Sequence, residues 1–340
     1  MKKKDARLAL VFKDFACWVR SSCVGLNVAG FATKKVLEQD GYHVSVFPVR
    51  HNVDLVREIE HYNLSHKEQL THVVISAPWL SLFDMRNLLT EFSDIQFVIL
   101  SHSNVGFLQA DPCGIELLRK YHELSEEFGN IRVGGNSEKF VRWMRKAYDE
   151  GVVLLPNLYP LGPQIKKEWE GVGLVKIGAF GAIRPEKNFM TAAAAAVALA
   201  SEGVEVELHM SEGGEGECGS TAPAIDQMCA GKIKVIRHSW VYWDEFVKLV
   251  SQMDILIQVS YTESFNMITA DGISVGVPSV VSPAIYWAPP SWKADPDDVN
   301  EVLIVMKRLL FDPRQRAAGY EHLQAHNDKS IRHWDKFLIK

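Results

Sequence analysis

The chain has 340 residues, of which 47% are hydrophobic and 23% charged, and this is long enough for two α/β domains of ordinary size. Its formal net charge of −5 provides no general attraction for a polyanion, which argues against nucleic acid as the main partner. The cysteines are odd in number and form no Cys-x-x-Cys pair, which argues against a disulfide framework or a zinc site. They are Cys17, Cys23, Cys113, Cys218 and Cys229.

The apolar run at residues 8–12 ends at Lys13 and Asp14, so it is too short for a signal peptide and fits a buried first strand. No uncharged stretch approaches the roughly 20 residues that cross a bilayer. The sequence therefore predicts a cytoplasmic protein without a transmembrane segment.

The N-terminal half alternates short apolar runs with longer segments of helical spacing, a pattern typical of a parallel sheet. The predicted strands are 8–12, 43–49, 72–76, 96–101, 132–134 and 152–155. The predicted helices are 28–39, 82–92, 114–127 and 137–149. These elements define a first domain over residues 1–160.

A linker is predicted over residues 156–167, because three prolines and a glycine fall close together there. The pattern then restarts and predicts a second domain over residues 161–325. Its predicted strands are 174–179, 205–210, 233–236, 255–259 and 279–281. Its predicted helices are 188–201, 242–252, 264–274 and 299–310. The fold class is therefore α/β.

The most informative segment is 260–278, where a strand ends, a helix begins, and Gly276-Val277-Pro278 leads into the next strand. Glu263 follows the strand and lies at the carboxyl end of the sheet, where open α/β folds bind ligands. Asp271 lies about two helical turns later and so shares roughly the same helix face.

The start of this helix is a predicted phosphate site. The backbone N–H groups of Phe265, Asn266 and Met267 are expected to lack intrahelical partners, and together with Ser264 they would form an anion-binding helix start.

Segment 260–278 resembles the retaining family 4 glycosyltransferases of the GT-B fold, whose signature is Glu-x7-Glu followed by Gly-x-Pro. It differs from that signature in having Asp271 for the second Glu and Asn266 for a usual Gly. The resemblance implies two Rossmann-like domains facing across a cleft. It also implies that Glu263 contacts the donor sugar and that Asp271 contacts the nucleotide ribose.

Segment 178–188 resembles the family motif in which an Arg and a Lys bind the donor diphosphate. Lys187 aligns with the family Lys, whereas Ala182 occupies the position of the Arg and the nearest guanidinium is that of Arg184. The resemblance therefore assigns the diphosphate to Lys187, and Arg184 is the candidate for the missing Arg. This matters because Lys gives a point charge and Arg a bidentate contact.

Other positions match the family more locally. His102 follows an apolar strand where the family places a histidine facing the donor sugar, and Gly25 lies in the turn that the family keeps close to phosphate and acceptor. Ser239 and Trp240 follow a strand at the depth where the family holds the nucleobase. The end of the chain, 326–340, resembles the last helix of the family, which crosses back to the first domain.

No metal site is predicted. Asp295-Pro296-Asp297 has the Asp-x-Asp form of metal-binding glycosyltransferases, but it opens a helix without a preceding strand, so helix capping explains it better. Cationic groups and helix N–H donors would instead stabilise the departing diphosphate without a metal. No cofactor is expected beyond the donor substrate, a UDP- or GDP-linked sugar.

The predicted function is transfer of a sugar from a nucleotide-diphosphate sugar to a hydroxyl acceptor with retention, as a hexosyltransferase-like enzyme of class EC 2.4. The acceptor stays open among a saccharide, a lipid-linked sugar and a metabolite, with a modified DNA base or a protein less favoured. The alternatives are a sugar-nucleotide epimerase and a non-catalytic GT-B scaffold or regulatory subunit, the latter suggested by the changes at Ala182, Asn266 and Asp271.

Overall fold

The computed structural model describes residues 2–14, 24–109, 111–148, 151–165, 173–212 and 221–339. These residues form two compact units. The first contains Gly25–Pro160, the described residues before 15 and residues 327–339, and the second contains Leu161–His326. The predictions for Cys17, Cys23, Cys218, Asp149, residues 166–167 and Lys340 lie outside the described residues.

The first unit is built on a parallel sheet with the strand order β2-β1-β3-β4-β5-β6. Its strands β1 to β6 are Arg7–Lys13, His43–Val49, His72–Ser76, Gln96–Ser101, Ile131–Gly135 and Val153–Leu154. Its helices α1 to α6 are Val24–Gln39, Asn52–Ser65, Leu82–Glu91, Val105–Leu108, Pro112–Glu127 and Glu138–Ala147. Both faces of the sheet are covered, because one core cluster includes Val73 and Phe140 and another includes Val74 and Trp334.

The second unit is built on a parallel sheet with the strand order β11-β10-β7-β8-β9. Its strands β7 to β11 are Val175–Ala179, Val206–Ser211, Lys234–His238, Ile255–Gln258 and Ser279–Val281. Its helices α7 to α11 are Phe189–Ser201, Thr221–Cys229, Trp243–Val250, Met267–Ser274 and Val299–Phe311. The predicted α/β class is therefore confirmed, and every strand of the described ranges lies within two residues of its predicted bounds.

The last helix, α12, spans Pro313–Leu338, and its residues from Asn327 onward belong to the first unit. Trp334 is 1% exposed there and donates its indole N–H to the Pro156 carbonyl at 2.9 Å. Phe337 packs edge to face on His72 of β3. None of the helices in the described ranges is long and apolar enough to cross a membrane.

Helix α10 begins at Met267 rather than at the predicted Ser264. Asn266 has a positive φ of 71°, which interrupts the helical backbone, and its side-chain oxygen accepts the Thr269 N–H at 2.8 Å. Asn266 is thus the N-cap, as expected of a residue with a short side-chain acceptor. The predicted helix start at 264–266 is a loop.

The Gly-x-Pro turn ends α10 in a Schellman motif. Val277 N–H donates to the Gly272 carbonyl at 2.8 Å, and Gly276 N–H donates to the Ile273 carbonyl at 3.2 Å. Gly276 has a φ of 76°, and a Cβ there would lie 2.6 Å from the Ile165 carbonyl oxygen. Only glycine fits this position without strain.

Candidate active site

The second sheet reverses its strand order between β7 and β10. From β7 the chain adds β8 and β9 on one side and then returns to place β10 and β11 on the other side. Ligands of open α/β sheets bind beyond the carboxyl ends of the strands at such a reversal. The loop after β7 carries Lys187, and the loop after β10 carries Glu263.

Lys187 and Glu263 form an ion pair, with Lys187 Nζ 2.6 Å from Glu263 Oε1. The Glu263 side chain is 6% exposed and that of Lys187 is 27% exposed, so the carboxylate is the buried partner. The same Oε1 accepts the Ser260 hydroxyl at 2.9 Å and the Asn266 side-chain amide at 2.9 Å. Three donors therefore bond to one oxygen of a buried carboxylate, and one of them is a cation.

The second oxygen of Glu263 makes none of these bonds within the described part of the chain. Lys187 uses one of its three ammonium protons on Glu263. The pair therefore offers an acceptor for a hydroxyl and two further cationic donors for a negatively charged oxygen.

Asn266 holds the Glu263 loop with every part of its side-chain amide. Its oxygen caps Thr269, while its nitrogen donates to Glu263 Oε1 and, at 3.0 Å, to Gln258 Oε1. Gln258 in turn donates to the Phe180 carbonyl at 3.2 Å, which links β10 to the loop after β7. Asn is suited to position 266 because it tolerates a positive φ, as Gly would, and adds these bonds.

Asn188 fixes the Lys187 loop in a similar way, a role that no sequence pattern indicated. It has a φ of 55° and ends the short helical turn Pro185–Lys187. Its amide nitrogen donates to the Val259 carbonyl at 3.2 Å and to the Pro296 carbonyl at 2.7 Å. The Tyr261 N–H also donates to the Glu186 carbonyl at 2.9 Å, so the two loops are tied directly.

Phe265 is a core residue, and its backbone carbonyl accepts a hydrogen bond from Trp287. Its side chain is 1% exposed and stacks on Trp287, with ring centroids 5.1 Å apart. The Trp287 indole N–H donates to the Phe265 carbonyl at 2.6 Å. Ser264 is half-buried beside it. The phosphate role predicted for 264–266 stays a prediction, and the helix amides nearest to it start at Met267.

Asp271 is buried within α10, at 2% exposure, rather than lying on a solvated face. Its Oδ1 accepts the Trp243 indole N–H at 2.8 Å, which connects α10 to α9. This contact was not apparent in the sequence. The ribose role predicted for Asp271 stays a prediction, now with a structural partner for one oxygen.

Arg184 is half-buried and begins the short turn that carries Lys187. Its carbonyl accepts the Lys187 N–H at 3.0 Å. Ala182, which the sequence resemblance aligns with an Arg, is 8% exposed. The diphosphate role of Arg184 stays a prediction.

Ser239 and Trp240 follow the edge strand β9. The Ser239 hydroxyl donates to Glu212 Oε2 at 2.7 Å. The Trp240 indole nitrogen is buried and has no hydrogen-bond partner in the described residues. The preceding His238 pairs with His209 at 2.9 Å between ring nitrogens, and burial lowers the pKa of both imidazoles.

The first unit contains His102 and Gly25. His102 lies just beyond β4, and its Nδ1 is 3.3 Å from the Asn136 side-chain nitrogen. Its Nε2 is buried without a hydrogen-bond partner among the described residues. Burial lowers the pKa of His102 to about 4, so the imidazole is neutral at pH 7. Gly25 is exposed in the first turn of α1, with no atom within 4 Å of a Cβ built on it.

The structure thus bonds three predicted site residues together: Lys187, Glu263 and Asn266. Asp271 and Ser239 bond to Trp243 and Glu212, and His102 and Gly25 belong to the other unit. The described residues contain no group of three or more His, Cys, Asp or Glu side chains placed to hold a metal ion. Asp297 of the Asp-Pro-Asp segment instead accepts the Tyr261 hydroxyl at 2.7 Å.

Comparison with known proteins gives a match at the level of the fold. No family model and no curated protein sequence matches the chain. Among solved structures, it is similar to the sucrose-phosphate synthase of Thermosynechococcus elongatus, with a TM-score of 0.62 and 15% identity over 97% of this chain and 98% of that one.

Two further structures are similar over nearly the whole of both chains, each at 12% identity. The glycosyltransferase of Rickettsia africae ESF-5 has a TM-score of 0.63 and covers 98% of this chain and 99% of its own. The UDP-forming α,α-trehalose-phosphate synthase of Burkholderia xenovorans has a TM-score of 0.59 and covers 98% of each. The chain therefore has the α/β fold of the GT-B glycosyltransferases.

Proposed function

We propose that the protein transfers a sugar from a nucleotide-diphosphate sugar to a hydroxyl acceptor, with retention and without a metal ion. The observation that carries the proposal is the buried Glu263 carboxylate paired with Lys187 where the strand order of the second sheet reverses. The solved structures of similar fold include sugar-transferring synthases, which supports the same class of reaction.

Lys187 is assigned to the donor diphosphate. A departing nucleoside diphosphate gains negative charge, and a cation fixed in advance stabilises that charge most in the transition state. The ion pair with Glu263 and the Asn188 turn hold the lysine in place before the donor binds. Arg184 and the loop 264–266 are assigned to the same diphosphate group.

Glu263 is assigned to the donor sugar. Its bonded oxygen is committed to Lys187, Ser260 and Asn266, which leaves the other oxygen to accept a sugar hydroxyl. Asp271 is assigned to the ribose, and Ser239 and Trp240 are assigned to the nucleobase. In the first unit, His102 is assigned to the donor sugar and Gly25 to the phosphate and acceptor.

Metal independence follows from this division of roles, because Lys187 supplies the charge that a bound cation would otherwise supply. Retention rests on the resemblance of 263–271 to the Glu-x7-Glu signature. We propose a saccharide, a lipid-linked sugar or a metabolite as the acceptor, and a cytoplasmic site of action.

The test is release of nucleoside diphosphate from a panel of UDP- and GDP-linked sugars, with water as the default acceptor. We expect slow hydrolysis of one donor, equal with and without EDTA. The Glu263→Gln variant should release nucleoside diphosphate at least about tenfold more slowly, which corresponds to an increase of roughly 1.4 kcal/mol in the activation free energy. The anomeric configuration of the released sugar, followed by NMR, tests retention.

Each alternative predicts a different outcome. If the wild type and the Glu263→Gln variant both bind a donor but neither releases nucleoside diphosphate, the protein is a non-catalytic scaffold. Recovery of an epimerised sugar or its nucleotide would favour an epimerase. Loss of release on chelation would contradict the metal-independent mechanism.

A further inference from the structure

Two helices of the first unit present a cationic surface. On α6 it comprises Lys139, Arg142, Arg145 and Lys146, and on the end of α12 it comprises Lys329, Arg332 and Lys336, all of them exposed. We call this set the cationic surface. It stands out because the whole chain is acidic, with a formal net charge of −5.

The helix periods explain why these charges share one face. On α6 the buried residues are Phe140, Val141 and Met144, which form the face that packs on the core. The cationic residues of α6 lie on the other face of the helix and are exposed to solvent. On α12 the charged positions repeat at three and four residues, while Trp334 and Leu338 face the core.

Direct contacts join the two helices into one surface. Lys329 forms an ion pair with Glu138, the first residue of α6. The pKa of Glu138 is lowered first by its bond to Lys329 and also by the charge of Arg142.

His333 of α12 lies close to charged residues of both helices. Burial is the main reason that its pKa is lowered, and the nearby charges of Lys336, Lys329 and Arg145 lower it further while Glu138 raises it. The positive charges of both helices therefore converge on one place.

Fold stability explains only part of this cluster. Arg145 donates to the Val152 carbonyl through Nε at 2.9 Å and through Nη2 at 2.7 Å, next to the edge strand β6. Lys329 neutralises Glu138. By contrast, Lys139, Arg142 and Lys336 form no ion pair within the described part of the chain. Like charges held together destabilise a fold unless a partner neutralises them.

We propose that the cationic surface docks the protein on a membrane leaflet that contains anionic lipids. The charge complements lipid phosphate, and each Lys or Arg near such a leaflet adds to the attraction. A nucleic-acid site would be expected to add exposed aromatic or amide side chains that stack on or bond to bases. The aromatic residues of α6 do not fill that role, because Phe140 is buried and Trp143 packs against the core. This inference does not depend on the proposed function.

The test is co-sedimentation of the full chain with vesicles of phosphatidylcholine alone or with about 30 mol% phosphatidylglycerol, which supplies an anionic surface. We expect binding to the anionic vesicles only, weakening as salt is raised because the attraction is screened. The variant Lys139→Glu/Arg142→Glu/Lys336→Glu should bind at least about a hundredfold more weakly, because it removes three cations and adds three anions.

The matched control is Arg57→Glu/Lys67→Glu/Lys232→Glu, which reverses one exposed Arg and two exposed Lys elsewhere on the protein. It should bind the anionic vesicles within about threefold of the wild type, and circular dichroism should show both variants folded. If the reversal variant fails to fold, Lys139→Gln/Arg142→Gln/Lys336→Gln gives the same comparison with a smaller expected loss.

Three results would overturn the proposal. One is the absence of binding to anionic vesicles at low salt. Another is an equal loss of vesicle binding in the control variant, which would show that binding depends on the net charge of the protein and not on this surface. The third is tighter binding to duplex DNA than to vesicles at equal phosphate concentration, which would assign the surface to nucleic acid.

Discussion

At the scale of single residues, the site depends on how the hydrogen bonds of Glu263 are distributed. All three bonds fall on Oε1, from a cation, a hydroxyl and an amide. One oxygen therefore anchors the side chain to its surroundings, while the other is left for a ligand. Bonds shared between both oxygens would leave fewer acceptor sites on the second oxygen for a ligand.

Lys187→Ala should reduce kcat/KM for the donor by about 10- to 150-fold, equivalent to roughly 1.5 to 3 kcal/mol for a hydrogen bond to a charged group. The reduction should fall mainly on kcat, because charge on the leaving diphosphate develops in the transition state. Steady-state kinetics of donor hydrolysis measures it. Lys232→Ala, which removes an exposed lysine of the second unit, is the matched control.

Asp271→Asn should raise the donor KM about tenfold with little change in kcat, because a ribose contact is equal in ground and transition states. Asparagine keeps a side-chain oxygen for the Trp243 indole, so the melting temperature should stay close to that of the wild type. Kinetics and thermal melts on the same samples separate the two effects.

Trp243→Phe tests how much the hydrogen bond between Trp243 and Asp271 contributes to stability. It removes the indole donor and leaves a buried carboxylate with one bond fewer, which should cost about 1 to 3 kcal/mol of unfolding free energy. If Asp271→Asn instead lowers stability as Trp243→Phe does and leaves KM unchanged, Asp271 serves the packing of α9 on α10 and not the donor.

Much of the site at this scale could be predicted from the sequence, but its supports could not. Lys187 and Glu263 each follow a strand, and parallel strands bring such loops to one edge of the sheet. The contacts of Asn188 with Pro296, and of Trp287 with Phe265, join positions that no local pattern connects. Only tertiary packing brings these residues together.

At the scale of elements, α10 is defined by its two ends. Asn266 caps its start, and the Schellman motif at Gly276 closes its end against the loop that contains Ile165. Both ends use a positive φ, and together they fix which residues of α10 face the site. The predicted start at 264 was wrong, because helical spacing does not reveal a positive φ.

Gly276→Ala should lower the unfolding free energy by about 1 to 3 kcal/mol, the cost of a strained backbone position. The added Cβ would also lie 2.6 Å from the Ile165 carbonyl oxygen. Denaturant unfolding measures the loss. Gly129→Ala, where a Cβ has no neighbour within 4 Å, should stay within about 0.5 kcal/mol of the wild type.

The contact between α12 and β3 should make stability depend on pH. Burial lowers the pKa of His72 to about 4, whereas an unfolded histidine titrates near 6.5. The unfolded state therefore takes up the proton first. The stability contributed by neutral His72 is complete above about pH 6.5 and is lost as the pH falls toward 4.

Urea unfolding of the wild type and of His72→Gln at pH 7 and pH 4.5 measures this contribution. The wild type should lose about 2 to 3 kcal/mol more than the variant between these two values. His61→Gln, which replaces an exposed histidine, is the control. Identical pH dependence in wild type and His72→Gln would show that His72 is accessible to protons in the folded state.

Elements with a strong hydrophobic period were predicted well, and those with weak periods were not. The strands are short apolar runs, so their bounds followed directly. Helices α2, α4 and α8 lie outside the predicted helices. The first half of α12 was also missed, because only residues 326–340 resembled a last helix, whereas α12 begins at Pro313. Pro313 marks the first turn of that helix, where proline is tolerated, and not a break.

At the scale of the whole molecule, the first unit is not one continuous stretch of sequence. Residues 327–339 complete it, after the second unit has been formed by Leu161–His326. The core cluster that includes Leu8, Val74 and Leu155 is closed by Trp334 and Leu338. The Tyr42 hydroxyl also donates to Asp335 Oδ1 at 2.6 Å.

Truncation after His326 should therefore destabilise the first unit and spare the second. It removes Trp334, Leu338 and the Pro156 and Tyr42 hydrogen bonds together, whereas deletion of a single buried Trp side chain already costs about 3 to 5 kcal/mol. Calorimetry should show one transition shifted to a lower temperature or lost, with the other retained. Removal of residues 339–340 alone leaves α12 intact and is the control. A truncated chain that melts like the wild type would mean that the first unit closes its core without residues 327–338.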